Sequence, residues 1–493
     1  MRRAALLLAS LLSAAACATA PLSDPGIQAS PDGSTAPAPA TASYVVTVQS
    51  VTPLPRLSVR AEFRLPDDTI RMEQTRPGDA EEILRQGWPA MVRSLRVLDE
   101  HGAQLAATSA GAAGWVVPAA GRNVIVEYDV DYQLLADQNW PAPRESAYAD
   151  DSTLFVITRS LFVGGDAPGP IRVRFVVPDG WHVYAPWTRD AYDLLTFHVS
   201  DRERLTTNAL AVTRARAATA RVGSVTLETV AFGQWHRRAD EIAAALRAHL
   251  TTFTRLFEDD TEHSYLAVFF EAERTGGEAY LDSYAMQADP SQPASAWTRL
   301  VGHELFHYWN GQRLRGEDYT ASQWFAEGIT EYVALLSMAQ NGFMSEQEVL
   351  DQLSQRLRAS RNMTASLVAS GNRKNAAFYG RATITALLLD LLLRERTANE
   401  RGLPDLMRAM WQSHGRTDRP YTLARLYSVA SEVAGADIAP LIRGWVEQAD
   451  PPEMDTLLGT AGLTIAPDSA GDRVTIDRAA PPAGRMRWRS IVQ

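Results

Sequence analysis

His303-Glu304-Leu305-Phe306-His307 is where residue type and spacing in this chain first add up to chemistry. Residues four apart on a helix share a face, so both imidazoles can reach one metal ion. Glu304, one position past His303, can reach a metal-activated water without being a ligand itself. A third donor, Glu327, follows His307 after 19 intervening residues and lies near the start of a helical run from Trp324 to Met338. That interval leaves room for a helix end, a turn and a return that brings a carboxylate back to the ion. Glu331 lies four residues on along the same face, where it can accept the second N–H of a ligand histidine and fix its tautomer; a plain surface carboxylate is the alternative. Two His and one Glu leave the fourth position of a tetrahedral zinc open, as in catalytic sites, so one Zn2+ per chain is the expected cofactor. The bland alternative, a solvated His pair and an unrelated Glu, leaves the joint spacing unexplained.

These residues need elements to hold them. Ser295 to Tyr308 has no internal proline and can be helical, with Gly302 as its weak point. Upstream, Ile242, Leu246, Leu250, Phe253 and Phe257 form one helical stripe, and a strand-like run covers Tyr265–Phe270. A further strand is expected around Ala279–Met286, after Gly276-Gly277, and helical pattern dominates from there to about Gln448. From Tyr44 to about Gly233 the period is two instead: Leu57, Val59, Ala61 and Phe63 alternate with polar neighbours, as do Val124 to Tyr132 and Ile171 to Val177. The expected architecture is multidomain. An N-terminal antiparallel β-domain covers 44–233, a catalytic domain 234–340, an α-helical domain 341–465 and a short tail 466–493 with one strand at Arg473–Ile476. The β-domain's His101, His182 and His198 are isolated and read as solvated or core residues.

Composition narrows the classes. Of 493 residues, 46% are hydrophobic and 22% charged, a globular balance. A net charge of -10 argues against a nucleic-acid binder. Lys374 is the only lysine among 48 basic residues, which reads as base-composition bias. A single cysteine excludes a disulfide framework and any multi-cysteine metal site. Arg2 and Arg3 precede an apolar run, Ala4 to Ala16, with Cys17 immediately after it: the shape of a secretory signal over 1–17, followed by a Pro/Ala/Ser-rich linker over 18–43. It resembles a bacterial lipoprotein signal, in which Cys17 would be lipidated, although Ala14 stands where leucine is usual. Export to the periplasm or outer membrane is expected, with membrane contact only through that anchor. No later segment reads as a membrane span, since the apolar run Ala386–Leu393 is short and contains Asp390.

His303-Glu-Leu-Phe-His-Tyr-Trp-Asn310, Arg313-Leu-Arg315 and Trp324-Phe-Ala-Glu-Gly-Ile-Thr330 together resemble the glycyl aminopeptidase family of gluzincin metallopeptidases. Phe378-Tyr379-Gly380-Arg381, Gly444-Trp445 and the Pro178-Asp-Gly-Trp181 turn extend the likeness over roughly residues 44–465. The resemblance implies a thermolysin-like catalytic domain, a peptide substrate, zinc on His303, His307 and Glu327, and Glu304 as general base. It places Tyr379 as the hydroxyl that stabilises the tetrahedral intermediate, and Arg381 in place of the usual lysine. Two departures stand out. The family's Gly-Gly-Leu-Glu-His strand, whose glutamate receives the substrate amine, is here Gly276-Gly277-Glu278-Ala279-Tyr280. Glu278 is one step early, and one step on a strand turns a side chain to the other face unless a bulge intervenes. Gly276, Gly277 and Glu278 are thus the substrate-binding candidates, with Glu278 alternatively an ordinary surface carboxylate. The tail is also too short for the C-terminal PDZ domain that many members carry. An aminopeptidase is the leading expectation. An endopeptidase, a non-catalytic envelope lipoprotein acting as a binding module, and a hydrolase of non-peptide bonds are its rivals.

Overall fold

The computed structural model describes residues 40–493 apart from 52–54, 76–80, 133–146, 166–168, 274, 418, 450, 451 and 470. Cys17, the signal and most of the linker therefore lie outside the described residues.

The alternating segments pair as their period requires. Ala42–Ser50 and Arg56–Arg64 are central strands of an eight-stranded sheet, with Val46, Val59 and Phe63 turned to its buried face. This sheet is mixed: Ala42–Ser50 pairs in parallel with Ile171–Val176, against the expectation of a purely antiparallel domain. A second sheet of four strands carries Thr153–Ile157 and Ala209–Thr213, both buried along their whole length. The reason is that this sheet is covered twice. One face shares a core with the eight-stranded sheet. The other stacks on the catalytic sheet, where Phe155 and Tyr148 meet Phe270 at ring-centroid distances of 5.4 Å. A strand buried on both faces needs no polar alternation.

The catalytic sheet has five strands. Val225–Ala231, His263–Glu271 and Ser283–Ala288 run parallel, flanked by antiparallel edges Ala218–Val222 and Gly276–Ala279. Two corrections follow. Residues 218–231 join this sheet, so the β-domain ends earlier than residue 233. The segment 279–286 is a hairpin rather than one strand, turning at Tyr280–Asp282. Helices Ala239–Phe257 and Ala294–Phe306 cover the face away from the β-domain. Gly302, the weak point in the second helix, has a packing reason: a Cβ there would lie 2.7 Å from the buried His249 ring, which hydrogen-bonds Ser337 Oγ and the Thr298 carbonyl.

The remaining helices build the other wall. Ala376–Arg396 is long and apolar enough to cross a membrane, yet it is a core helix: 83% of its most apolar window is buried, and Asp390 is held by Tyr332, Arg394 and the Leu403 amide. After Thr460 the chain forms a hairpin, Leu463–Asp468 with Gly471–Ile476, and a helix, Pro482–Val492, which corrects the expectation of one strand and a tail.

Candidate active site

The two histidines sit at the C-terminal end of helix Ala294–Phe306, where their spacing presents both rings to one point. The third donor arrives on a π-helical turn, Trp324–Ile329, that runs into helix Thr330–Gln340. Two features fix this widened turn. Gly328 lets helix Ala376–Arg396 approach, since a Cβ there would lie 2.6 Å from the Ala382 backbone. Asn310, fully buried, donates its amide to the carbonyls of Phe325 (3.0 Å) and Ala326 (3.1 Å). The chain leaves Asn310 through Gly311 at φ 118, a conformation that favours glycine.

The donor atoms form a triangle. His303 Nε2 and His307 Nε2 are 3.1 Å apart, and they stand 3.4 and 3.6 Å from Glu327 Oε2. Ligands about 2.0–2.1 Å from a tetrahedral zinc stand about 3.3–3.4 Å from each other, so the spacing fits the ion. The tautomers agree. His303 donates Nδ1–H to Glu331 Oε2 at 3.0 Å, and His307 donates Nδ1–H to the Asn310 carbonyl at 2.9 Å. Each ring thus keeps its Nε2 for the shared point between them, which takes positive charge: a metal ion, or without one a proton on His303. All three residues are buried, and they are the one cluster of metal-binding geometry among the described residues.

The electrostatics point the same way. Burial opposes a charge on His303, yet hydrogen bonds to Glu327 and Glu331 overcome it and raise its pKa to about 9. Burial would raise Glu331, but Arg299, His303 and Arg356 hold it well below the usual carboxylate range. Arg299 and Arg356 each bond it at 2.6 Å. Glu327 is likewise held low against burial, chiefly by Lys374 and His307. Lys374 Nζ meets Glu327 Oε1 at 2.7 Å, while the Tyr379 hydroxyl donates to Oε2 at 3.0 Å.

Glu304 lies beside the cluster, 6% exposed, with its side chain filling the space a Cβ on Gly277 would need. Its pKa is raised by burial first and by the charges of Glu278 and Glu327, against the pull of His303 and His307. The edge strand Gly276–Ala279 pairs in regular register with Ser283–Ala288, so no bulge re-aims Glu278. Its charge is nonetheless felt at both Glu304 and Lys374. Arg381 points elsewhere, donating to the Ala449 carbonyl.

Sequence reasoning missed two residues. Asn310 was visible only as part of a motif. Lys374 stands out by count, but only the fold reveals its ion pair with Glu327.

Comparison with known proteins agrees with this geometry. Residues 296–385 match the M61 glycyl aminopeptidase domain, and residues 62–208 match the Peptidase M61 N-terminal domain. The chain carries M61 domains in both its β-rich part and its catalytic part. It is a gluzincin metallopeptidase with a single zinc site. No match was found among curated proteins. Among solved structures, an aminopeptidase N family protein from Idiomarina loihiensis is 19% identical with a TM-score of 0.75, covering 87% of this chain and 79% of its own. An M1 zinc metallopeptidase from Deinococcus radiodurans is 16% identical with a TM-score of 0.53, covering 84% and 94%. A mutant of that enzyme was solved with a Tyr-Ser-Ala substrate. At these identities the likeness establishes the shared fold.

Proposed function

We propose that this gluzincin hydrolyses peptide bonds in the bacterial cell envelope as an aminopeptidase-type enzyme, with Glu304 as general base. The observation that carries the reading is the triangle of His303, His307 and Glu327 with Glu304 buried one residue along the same helix. Zinc held there supplies Lewis acidity and water made acidic enough to ionise near neutrality. Glu304, its pKa already raised, takes the proton of the attacking water and delivers it to the departing amine. Tyr379, resting on Glu327 Oε2, swings its O–H to the scissile carbonyl oxygen as negative charge grows there. Glu331 and the Asn310 carbonyl hold the two rings in the required tautomer throughout. A catalytic half of thermolysin-like type is supported by the antiparallel edge strand and by the ligand helix packed behind the sheet.

Glu278 lies on a strand without a bulge, which turns its side chain to the face opposite Gly277, and only the reach of its charge to Glu304 and Lys374 supports it as the group that receives a substrate amine. One observation favours an endopeptidase instead: Ala279 occupies the position where the family carries its amine-binding glutamate. Digesting identical peptides with free and acetylated N-termini by the zinc-loaded protein decides. Cleavage confined to free ends supports the aminopeptidase, and equal cleavage of both sinks it. Export is supported by the basic-then-apolar stretch ending at Cys17. Lipid attachment predicts that labelled fatty acid enters the wild-type chain and not a Cys17→Ser variant.

A further inference from the structure

Glu327 divides its two oxygens between different tasks. Oε2 faces the imidazole nitrogens and receives the Tyr379 hydroxyl, while Oε1 is taken by Lys374 Nζ at 2.7 Å. Lys374 lies in the chain just ahead of helix Ala376–Arg396, its side chain 32% exposed, with the Tyr319 ring 5.9 Å from the ammonium. A lysine here is itself informative, because every other basic residue in the chain is arginine. A composition that writes arginine wherever a cation suffices leaves lysine only where a guanidinium does not serve.

The difference is geometric. An ammonium is a compact donor that can bind one carboxylate oxygen and leave the other free. A guanidinium is a planar fork that matches a carboxylate with two parallel hydrogen bonds and so covers both oxygens. On Glu327 the second prong would occupy the oxygen that the ion needs. Removing the cation altogether has the opposite consequence, since Oε1 would then be free to turn toward the metal.

We propose that Lys374 is a positioning residue that reserves one oxygen of Glu327 for the zinc, holding the ligand to single-point coordination by a contact an arginine could not make in the same way. This inference rests on the zinc reading of the site, and its test separates the two. Metal-free wild-type, Lys374→Arg and Lys374→Met proteins are titrated with Zn2+ against a chromophoric chelator. Visible absorption is then recorded with Co2+ in place of Zn2+, and thermal unfolding of the metal-free forms monitors folding. Lys374→Arg is expected to lose about 10–100-fold in zinc affinity while its metal-free unfolding stays near wild type. Lys374→Met is expected to bind metal but to show a weaker, shifted Co2+ band as the second carboxylate oxygen joins the ion. Wild-type affinity and spectrum in Lys374→Arg would overturn the proposal, as would an unaltered Co2+ band in Lys374→Met. The Met variant decides alone if the Arg variant does not fold. Failure of the wild type to take up zinc would overturn the site reading instead.

Discussion

The β-domain and the catalytic half each contain a carboxylate–imidazole pair of nearly the same length. Asp190, just past strand Thr188–Arg189, and His198, on the adjoining strand Thr196–Val199, stand 2.9 Å apart, with side chains 24% and 30% exposed. Glu331 and His303 stand 3.0 Å apart with side chains 2% and 7% exposed. Length does not separate them; surroundings do. Water competes for the first pair and screens it, so little depends on its geometry. The second is enclosed, and Arg299 and Arg356 occupy the remaining acceptor sites of Glu331. His303 can therefore present its other nitrogen in only one direction. The same bond is incidental on a wet surface and an orienting device in a dry one.

That contrast can be broken or sharpened by experiment. The largest effect is expected from Glu304→Gln, which keeps the shape of the buried acid and removes its basicity. Turnover on a peptide should fall about 10²–10⁴-fold or more while zinc content stays near one per chain. Loss of zinc as well would mean that Glu304 is structural. Tyr379→Phe should lower kcat about 10²–10³-fold with zinc affinity nearly unchanged, and unchanged turnover removes the hydroxyl from the chemistry.

The dry interior should also show itself in pH dependence. Burial lowers the pKa of His249 from 6.5 to about 4. Between those values the unfolded chain binds a proton that the folded chain refuses, so stability is full above pH 6.5 and declines as the pH falls toward 4. The His249 contribution to that loss is about 3 kcal/mol. Denaturant unfolding of wild type and His249→Gln across this range should differ in slope; parallel profiles would contradict the assignment. Smallest, and most direct for the comparison, is the matched pair Glu331→Gln and Asp190→Asn. The first should weaken zinc binding about 10–100-fold. The second should leave both stability and zinc binding essentially unchanged. Equal effects would dissolve the distinction between the two regions.

The parts of the site readable in sequence are those set by helical spacing. His303 and His307, then Glu327 and Glu331, lie four apart, and the period reports which residues share a face. The strands of the β-domain were legible for the same reason with a period of two. What was not legible depends on contacts between distant segments. The mixed pairing of Ala42–Ser50 with Ile171–Val176 and the transfer of 218–231 to the catalytic sheet leave no mark on local periodicity. The 279–286 hairpin was hidden because both its arms are short. Gly302 is a helix defect by sequence alone, and only the fold shows that the His249 ring needs its space. Lys374 is 47 residues from Glu327, and only the fold brings them together.

The widened turn at Trp324–Ile329 holds more backbone between consecutive hydrogen bonds than an ordinary helix does. Shortening that stretch by one residue would leave an ordinary helix whose flanking parts keep nearly the same phase, because five α-helical residues turn the chain about as far as six in the wider spiral. It would nonetheless change the angle between Glu327 and Glu331. Glu327 could then keep its aim only at the expense of Glu331, or the reverse. The length of six residues is thus a tolerance in itself: the enzyme should accept many changes of side chain there and almost no change of count.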